Sequence, residues 1–167
     1  MYRVRQFGRA VGAWTRPADL GEDLADRFLP PRAADLYAAM PGYDRRHAAS
    51  VARALWVQGH REPELMAAAL LHDVGKTAGG PGRLRLWHRV AVVLLQAWWP
   101  GLLLRLGRDG RSRVWQVQLD HAAIGARLAA QAGCPARTVE LIRCHEDHAA
   151  AAADPLLAAL QAVDDTY

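Results

Sequence analysis

Proline and glycine punctuate this chain so regularly that little besides short helices fits between the breaks. Pro30-Pro31, Pro41-Gly42, Gly59, Pro63, Gly79-Gly80-Pro81-Gly82, Pro100-Gly101, Gly107–Gly110, Gly133-Cys134-Pro135 and Asp154-Pro155 divide the 167 residues into pieces of helical length. Within the pieces Ala, Leu and Arg abound, whereas aromatic and β-branched residues are sparse. That composition favours helix over sheet. Apolar residues also recur at helical spacing: Ala48, Val51, Ala52, Leu55 and Trp56 form one stripe, with His47 beside it. The expected fold is all-α, a single-domain bundle of about seven or eight helices, without strands or internal repeats. A chain of this length buries enough surface to need no disulfide staples.

The pieces read as follows. Residues 1–18 form a basic N-terminal arm or short helix, with Val4, Phe7, Val11 and Trp14 in helical register among Arg3, Arg5, Arg9 and Arg16. The body spans 19–167. Helices are predicted from Asp19 to Leu29, from Pro31 to Met40, and from a cap at Asp44 to Gln58 with Gly59 as the stop. Others run from Pro63 to His72, Ser112 to Ala132, Pro135 to His148, and from the Asp154-Pro155 cap to Asp164-Asp165. Residues 84–106 are the most apolar stretch, with Ala91–Trp99 and Leu102–Leu104 uncharged. Pro100-Gly101 interrupts them, and neither half approaches the ~20 residues a bilayer requires. They read as an apolar helical hairpin insert or a kinked helix that covers a site, joins two copies in a homodimer or touches a membrane surface weakly. No apolar leader follows the start, and two cysteines, Cys134 and Cys144, make no disulfide framework, so a reduced, cytoplasmic protein without a transmembrane helix is expected.

The net charge is +4, spread along the chain without a block of like charges. Such a surface attracts phosphate-bearing ligands. No helix-turn-helix, RNA-recognition or zinc-finger pattern accompanies it, so nucleic acid is not the expected partner. Of the 21 cationic residues 20 are Arg, and the one Lys is Lys76. A compact ammonium is not interchangeable with a planar guanidinium in a tight site, which singles out Lys76 as serving a specific need.

Seven histidines occur. His60, His88 and His148 read as ordinary surface or hydrogen-bonded residues. The other four stand in a sequence of helices: His47, then His72-Asp73, then His121, then His145, with Asp164 on the last helix. Imidazole and carboxylate donors on facing helices are how bundle cores build metal centres, and this mixture suits Mn, Fe, Co, Ni or Zn rather than a thiolate-seeking ion. Asp165 is the adjacent alternative to Asp164, and helical register favours Asp164.

In this order the residues resemble the HD-domain phosphohydrolases. The matching elements are Arg45-Arg46-His47-Ala48, Leu70-Leu71-His72-Asp73-Val74-Gly75-Lys76, His121-Ala122-Ala123-Ile124-Gly125, Ile142-Arg143-Cys144-His145 and Ala162-Val163-Asp164-Asp165. The resemblance spans about residues 44–165, and its Leu-His-Asp-Val-Gly-Lys element is the most specific part. It implies His47, His72, Asp73 and Asp164 around one divalent ion, with Asp73 bridging to a second ion held by His121 and His145. It further implies Lys76 at a phosphate oxygen, so Asp73 and Lys76 are the expected catalytic residues. The branch with tandem histidines has a second His where this chain has Glu146, and the Gly-Tyr-Pro motif of the cyclic-di-GMP phosphodiesterases is absent.

The expected function is therefore a phosphohydrolase using two divalent ions among Mn, Fe, Co, Ni, Mg and Zn. Metal-bound hydroxide would attack a phosphoester or phosphoanhydride of a nucleotide or similar small phosphate, as in the stand-alone members that include diadenosine tetraphosphate hydrolases. The alternative from another class is a non-catalytic regulatory module that binds metal and nucleotide, associated with a membrane surface through residues 1–16 and 84–106.

Overall fold

Helix formation follows the punctuation closely. In the computed structural model the described residues are 20–79 and 113–167. They form eight α-helices and one 3-10 segment, with no strand among them. The helices are α1 (Glu22–Phe28), α2 (Pro31–Ala38), α3 (Gly42–Val57), α4 (Pro63–Leu71), α5 (Arg113–Gln131), α6 (Ala136–Cys144), α7 (His148–Ala151) and α8 (Pro155–Asp164), and the 3-10 segment is Val74–Gly79. The expected arm at 1–18, the hairpin at 84–106 and His88 lie outside the described residues.

Proline opens α2, α4 and α8 in the first turn, where a missing N–H costs nothing. Asp154 caps α8 by accepting from the N–H groups of Leu156 and Leu157, at 3.2 and 3.3 Å. Its carboxylate also takes both ends of the Arg137 guanidinium at 2.6 and 2.7 Å, tying α6 to the start of α8. Gly59 ends α3 region in a left-handed conformation, φ 99°, as its sequence position predicts.

Two boundaries differ from the sequence expectation. Asp44 does not cap α3: the helix starts two residues earlier, after Pro41, and Asp44 is buried in its first turn. The helix expected to run from Pro135 to His148 stops at Cys144. The chain turns through His145, Glu146 and Asp147, and Asp147 caps the one-turn helix α7 by accepting from Ala149 and Ala150. An aspartate side chain there outbids continuation of the main helix.

The layers are set by α4. All seven residues from Leu65 to Leu71 are buried, so this helix is apolar all round and runs through the centre. Helix α3 packs on it with Ala48, Val51, Ala52 and Leu55, and α6 packs on it with Leu141 and Ile142. Helix α8 lies against α3, α4 and α6 through Leu157, Leu160 and Val163. Helix α5 packs on α6 and on the 3-10 segment.

That last contact is unusually close. A Cβ built on Gly75 would meet the carbonyl oxygen of His121 and the amide nitrogen of Gly125. Both obstacles are backbone, so no side chain can yield. Gly125, isolated in the middle of α5, is the matching half: its own Cβ would lie 3.2 Å from the Gly75 nitrogen. The pair lets the segment after His72-Asp73 sit directly on the turn of α5 that carries His121. Gly75→Ala is expected to destabilise the protein by about 3 kcal/mol or more, at the upper end of overpacking costs. Gly42→Ala, whose nearest neighbour would be Arg46 at 3.9 Å, should be neutral or stabilising by up to ~1 kcal/mol. Chemical denaturation of the two variants checks the contrast; equal costs would show that the close crossing is absent.

Candidate metal centre

The six expected ligands converge. His47 lies in the first half of α3, His72 caps the C-terminus of α4 and Asp73 follows it, His121 sits within α5, His145 caps the C-terminus of α6, and Asp164 is the last residue of α8. His72, Asp73, His121 and His145 are buried, at 0, 4, 0 and 5% exposure. His47 and Asp164 are partly open to solvent, and Asp165 is exposed.

Local chemistry aims the rings. The last carbonyls of a helix lack partners within it. His72 meets this need with its own side chain, Nδ1 lying 2.9 Å from the carbonyl oxygen of Ala69. His145 repeats the arrangement with Ile142 at 2.8 Å. An Nδ1–H donated to a backbone carbonyl sets the tautomer and leaves Nε2 as the free donor, the usual support behind a metal-ligating histidine.

All four Nε2 atoms point at the two carboxylates. Asp164 Oδ1 lies 2.8 Å from His47 Nε2 and 3.3 Å from His72 Nε2. His121 Nε2 and His145 Nε2 are 3.3 Å apart, and Asp73 Oδ1 lies 3.6 and 3.9 Å from them. Asp73 Oδ2 is 3.8 Å from His72 Nε2. Among the described residues two groups have donor atoms within 4.8 Å of one another: His47, His72 and Asp73, and Asp73, His121 and His145. Asp73 belongs to both.

These groups could hold a metal ion. Ligands about 2.0–2.2 Å from one ion lie roughly 3.0–3.4 Å apart in octahedral or tetrahedral geometry; the His121–His145 and His72–Asp164 separations match this, and the Asp73 oxygens, 3.6–3.9 Å from the imidazoles, lie farther out. Buried His72 Nε2 makes no well-formed hydrogen bond, although Asp164 Oδ1 lies 3.3 Å away, and such an atom is costly unless another group uses it. Imidazole nitrogen with carboxylate oxygen is a borderline-to-hard donor set.

Electrostatics follow the same geometry. Burial opposes the charge on Asp73, but the Lys76 ammonium and the surrounding imidazoles outweigh it and hold the carboxyl well below the usual range. Asp164 is likewise held well below that range: burial opposes its charge, and His72 and His47 overcome it. Burial pushes His72 down, yet Asp73 and Asp164 overturn this and raise it to about 9. Burial and the positive neighbour His72 lower His145 to about 4. Lys76 Nζ lies 2.6 Å from an Asp73 carboxylate oxygen, so the single lysine of the chain is at the centre of the cluster.

Several features were not read from the sequence. Glu146 places Oε1 3.7 Å from His121 Nε2, although it had been noted only as a departure from a histidine pair. Gly125 as a packing residue was signalled only by its isolation in a helix. His148 stands apart from the cluster, its Nδ1 2.9 Å from Gln161 Oε1, and His60 pairs with Glu62 at 3.5 Å. The ≈ 450 Å³ cleft lined by Arg137, Glu140, Cys144 and Asp154 contains none of the six ligands. Among the described residues no helix is long and apolar enough to cross a membrane.

No family model, curated protein or solved structure matches this chain.

The raised His72 and lowered His145 predict the behaviour of the metal-free protein. His72 stabilises the fold fully below pH 6.5, and that contribution is lost as the pH rises through about 9. His145, held neutral, withdraws stability as the pH falls from 6.5 towards 4. Metal uptake at pH 7.5 must displace the His72 proton, releasing about one proton per protein. Calorimetry of Mn²⁺ binding in buffers of different ionisation enthalpy measures this release; uptake without it would show that metal binding displaces no His72 proton.

Proposed function

We propose that this chain is a metal-dependent phosphohydrolase of the HD-domain type, acting on a phosphoester or phosphoanhydride of a nucleotide or similar small phosphate. The observation that carries this reading is the sharing of Asp73 by two histidine groups, with Lys76 against the same carboxylate. One buried carboxylate between two ligand sets suits a pair of ions, and the adjacent ammonium suits an anionic substrate rather than a purely structural metal.

Two divalent ions, when bound, would supply Lewis acidity towards a phosphoryl oxygen and lower the pKa of a water between them. The protein's own contribution is positioning and charge. His47, His72 and Asp164 hold one side and His121 and His145 the other, on five different helix positions whose packing fixes their separation. Asp73, shared by the two groups, would offer negative charge to both ions. Lys76 has a flexible stem and sits beside Asp73, within reach of a phosphoryl oxygen bound there, where a point cation neutralises charge developing on the phosphoryl group. The +4 surface assists the approach of such substrates.

The decisive experiment is metal analysis of purified protein combined with a panel of nucleotides and small phosphate esters assayed with Mn²⁺, Co²⁺, Ni²⁺, Fe²⁺, Mg²⁺ and Zn²⁺. Phosphate release is expected with at least one ion. It should fall by roughly 10²-fold or more in Lys76→Ala, the scale of losing one positioned electrostatic contact, and to background in His72→Ala/Asp73→Ala. Turnover unchanged in the double variant would overturn the proposal. Tight nucleotide binding without phosphate release from any substrate would favour a regulatory module instead.

A further inference from the structure

The carboxylate of Glu146 stands where the tandem-histidine pattern would put an imidazole, and the fold holds it there deliberately. Its backbone lies in the turn between α6 and α7. On one side His145 caps α6 through Ile142, and on the other Asp147 caps α7. The Asp147 N–H donates to the Cys144 carbonyl at 2.8 Å, closing the turn around Glu146. From this fixed position Oε1 reaches within 3.7 Å of His121 Nε2. The same nitrogen is 3.3 Å from His145 Nε2 and 3.6 Å from Asp73 Oδ1. His121 Nε2 is thus the common neighbour of three further donors.

Neighbouring acids are engaged elsewhere. Asp147 caps α7, Asp154 caps α8 and binds Arg137, and Glu140 also binds Arg137. Glu146 is 59% exposed in its side chain, and among the described residues its charged-group neighbour is His121 rather than an Arg or Lys. A solvent-facing glutamate ordinarily turns outward to water. This one faces an imidazole at the edge of the cluster.

We propose that Glu146 is a ligand of the second metal position, completing His121, His145 and Asp73, and that its carboxylate raises the affinity of that position for a hard divalent ion such as Mn²⁺. This rests on the two-metal reading above. With Glu146 the two positions match in donors: His47, His72, Asp73 and Asp164 on one side, His121, His145, Asp73 and Glu146 on the other. Each then has two imidazoles and two carboxylates, sharing Asp73. Charge balance improves as well, since Asp73 and Asp164 bring two negative charges against two dications and Glu146 brings a third. Replacing an imidazole by a carboxylate moves a site towards Mn and Mg and away from Zn and Ni. Glu146 is the exposed member of this group, and His121, His145 and Asp73 are buried behind it.

The test uses the full chain, freed of metal and dialysed against Mn²⁺ or Zn²⁺, with bound metal counted by mass spectrometry and stepwise affinities measured by calorimetry. Wild type is expected to bind two Mn²⁺. Glu146→Gln should keep the first equivalent and weaken the second by about tenfold or more, at least the loss seen when an outer-shell partner of a ligand is removed. Glu146→His should weaken Mn²⁺ at that position relative to wild type while keeping Zn²⁺. His121→Ala should lose the second equivalent whatever Glu146 does. Two Mn²⁺ bound with wild-type affinities by Glu146→Gln, while His121→Ala loses one, would overturn the role of Glu146 and leave the two-metal centre standing. A wild type that binds one Mn²⁺ or none would overturn both.

Discussion

A carboxylate with 4% exposure lies among the imidazoles of His72, His121 and His145, and its immediate neighbours keep it charged. Burying an ionised carboxylate costs several kcal/mol unless opposite charge and hydrogen-bond donors surround it. Asp73 receives Lys76 at 2.6 Å, with His72, His121 and His145 ringed at 3.6–3.9 Å. The constraint explains the odd composition of α4. A helix that carries a charge to the centre must itself make no polar demands there, so Leu65 to Leu71 are all apolar and all buried. The polar cargo starts at the first residue after the helix ends.

Helix ends recur as the device that positions ligands. His72 and His145 use the carbonyls their helices leave unpaired, so each ring is anchored by the same terminus that presents it. Asp164 occupies the last residue of α8, and the 3-10 segment carrying Lys76 begins directly after Asp73. His47 and His121 come from within their helices. The helix of the second is brought in by the Gly75–Gly125 crossing, where two missing side chains allow backbone to approach backbone. The glycine after the His-Asp pair is therefore a spacing element for the other half of the centre as much as a helix stop.

Much of this was legible in the sequence. The helical class, the prolines at the starts of α2, α4 and α8, the Asp154 cap and the Gly59 stop follow from local chemistry acting over a few residues. The candidate ligands were legible because His47, His72-Asp73, His121, His145 and Asp164 keep an order resembling a known pattern, and the structure brings these six side chains near one another. What was missed depends on tertiary approach. Asp44 looked like a cap because aspartate often is one, but packing starts α3 earlier and buries it. The break at Cys144 depends on Asp147 competing locally with a helix of otherwise good propensity. The nearness of Glu146 to His121 spans 25 positions in the chain, and no local rule reports it.

The central claim is that Asp73 bridges two metal positions. The most direct measurement is anomalous diffraction from crystals of the protein loaded with Mn²⁺. Two peaks about 3.5–4 Å apart on either side of the Asp73 carboxylate are expected, the spacing of paired ions that act on phosphoryl groups, with one peak against His47, His72 and Asp164 and the other against His121 and His145. A single peak held by one group, with the other imidazoles turned away, or no peak at Asp73, would contradict it.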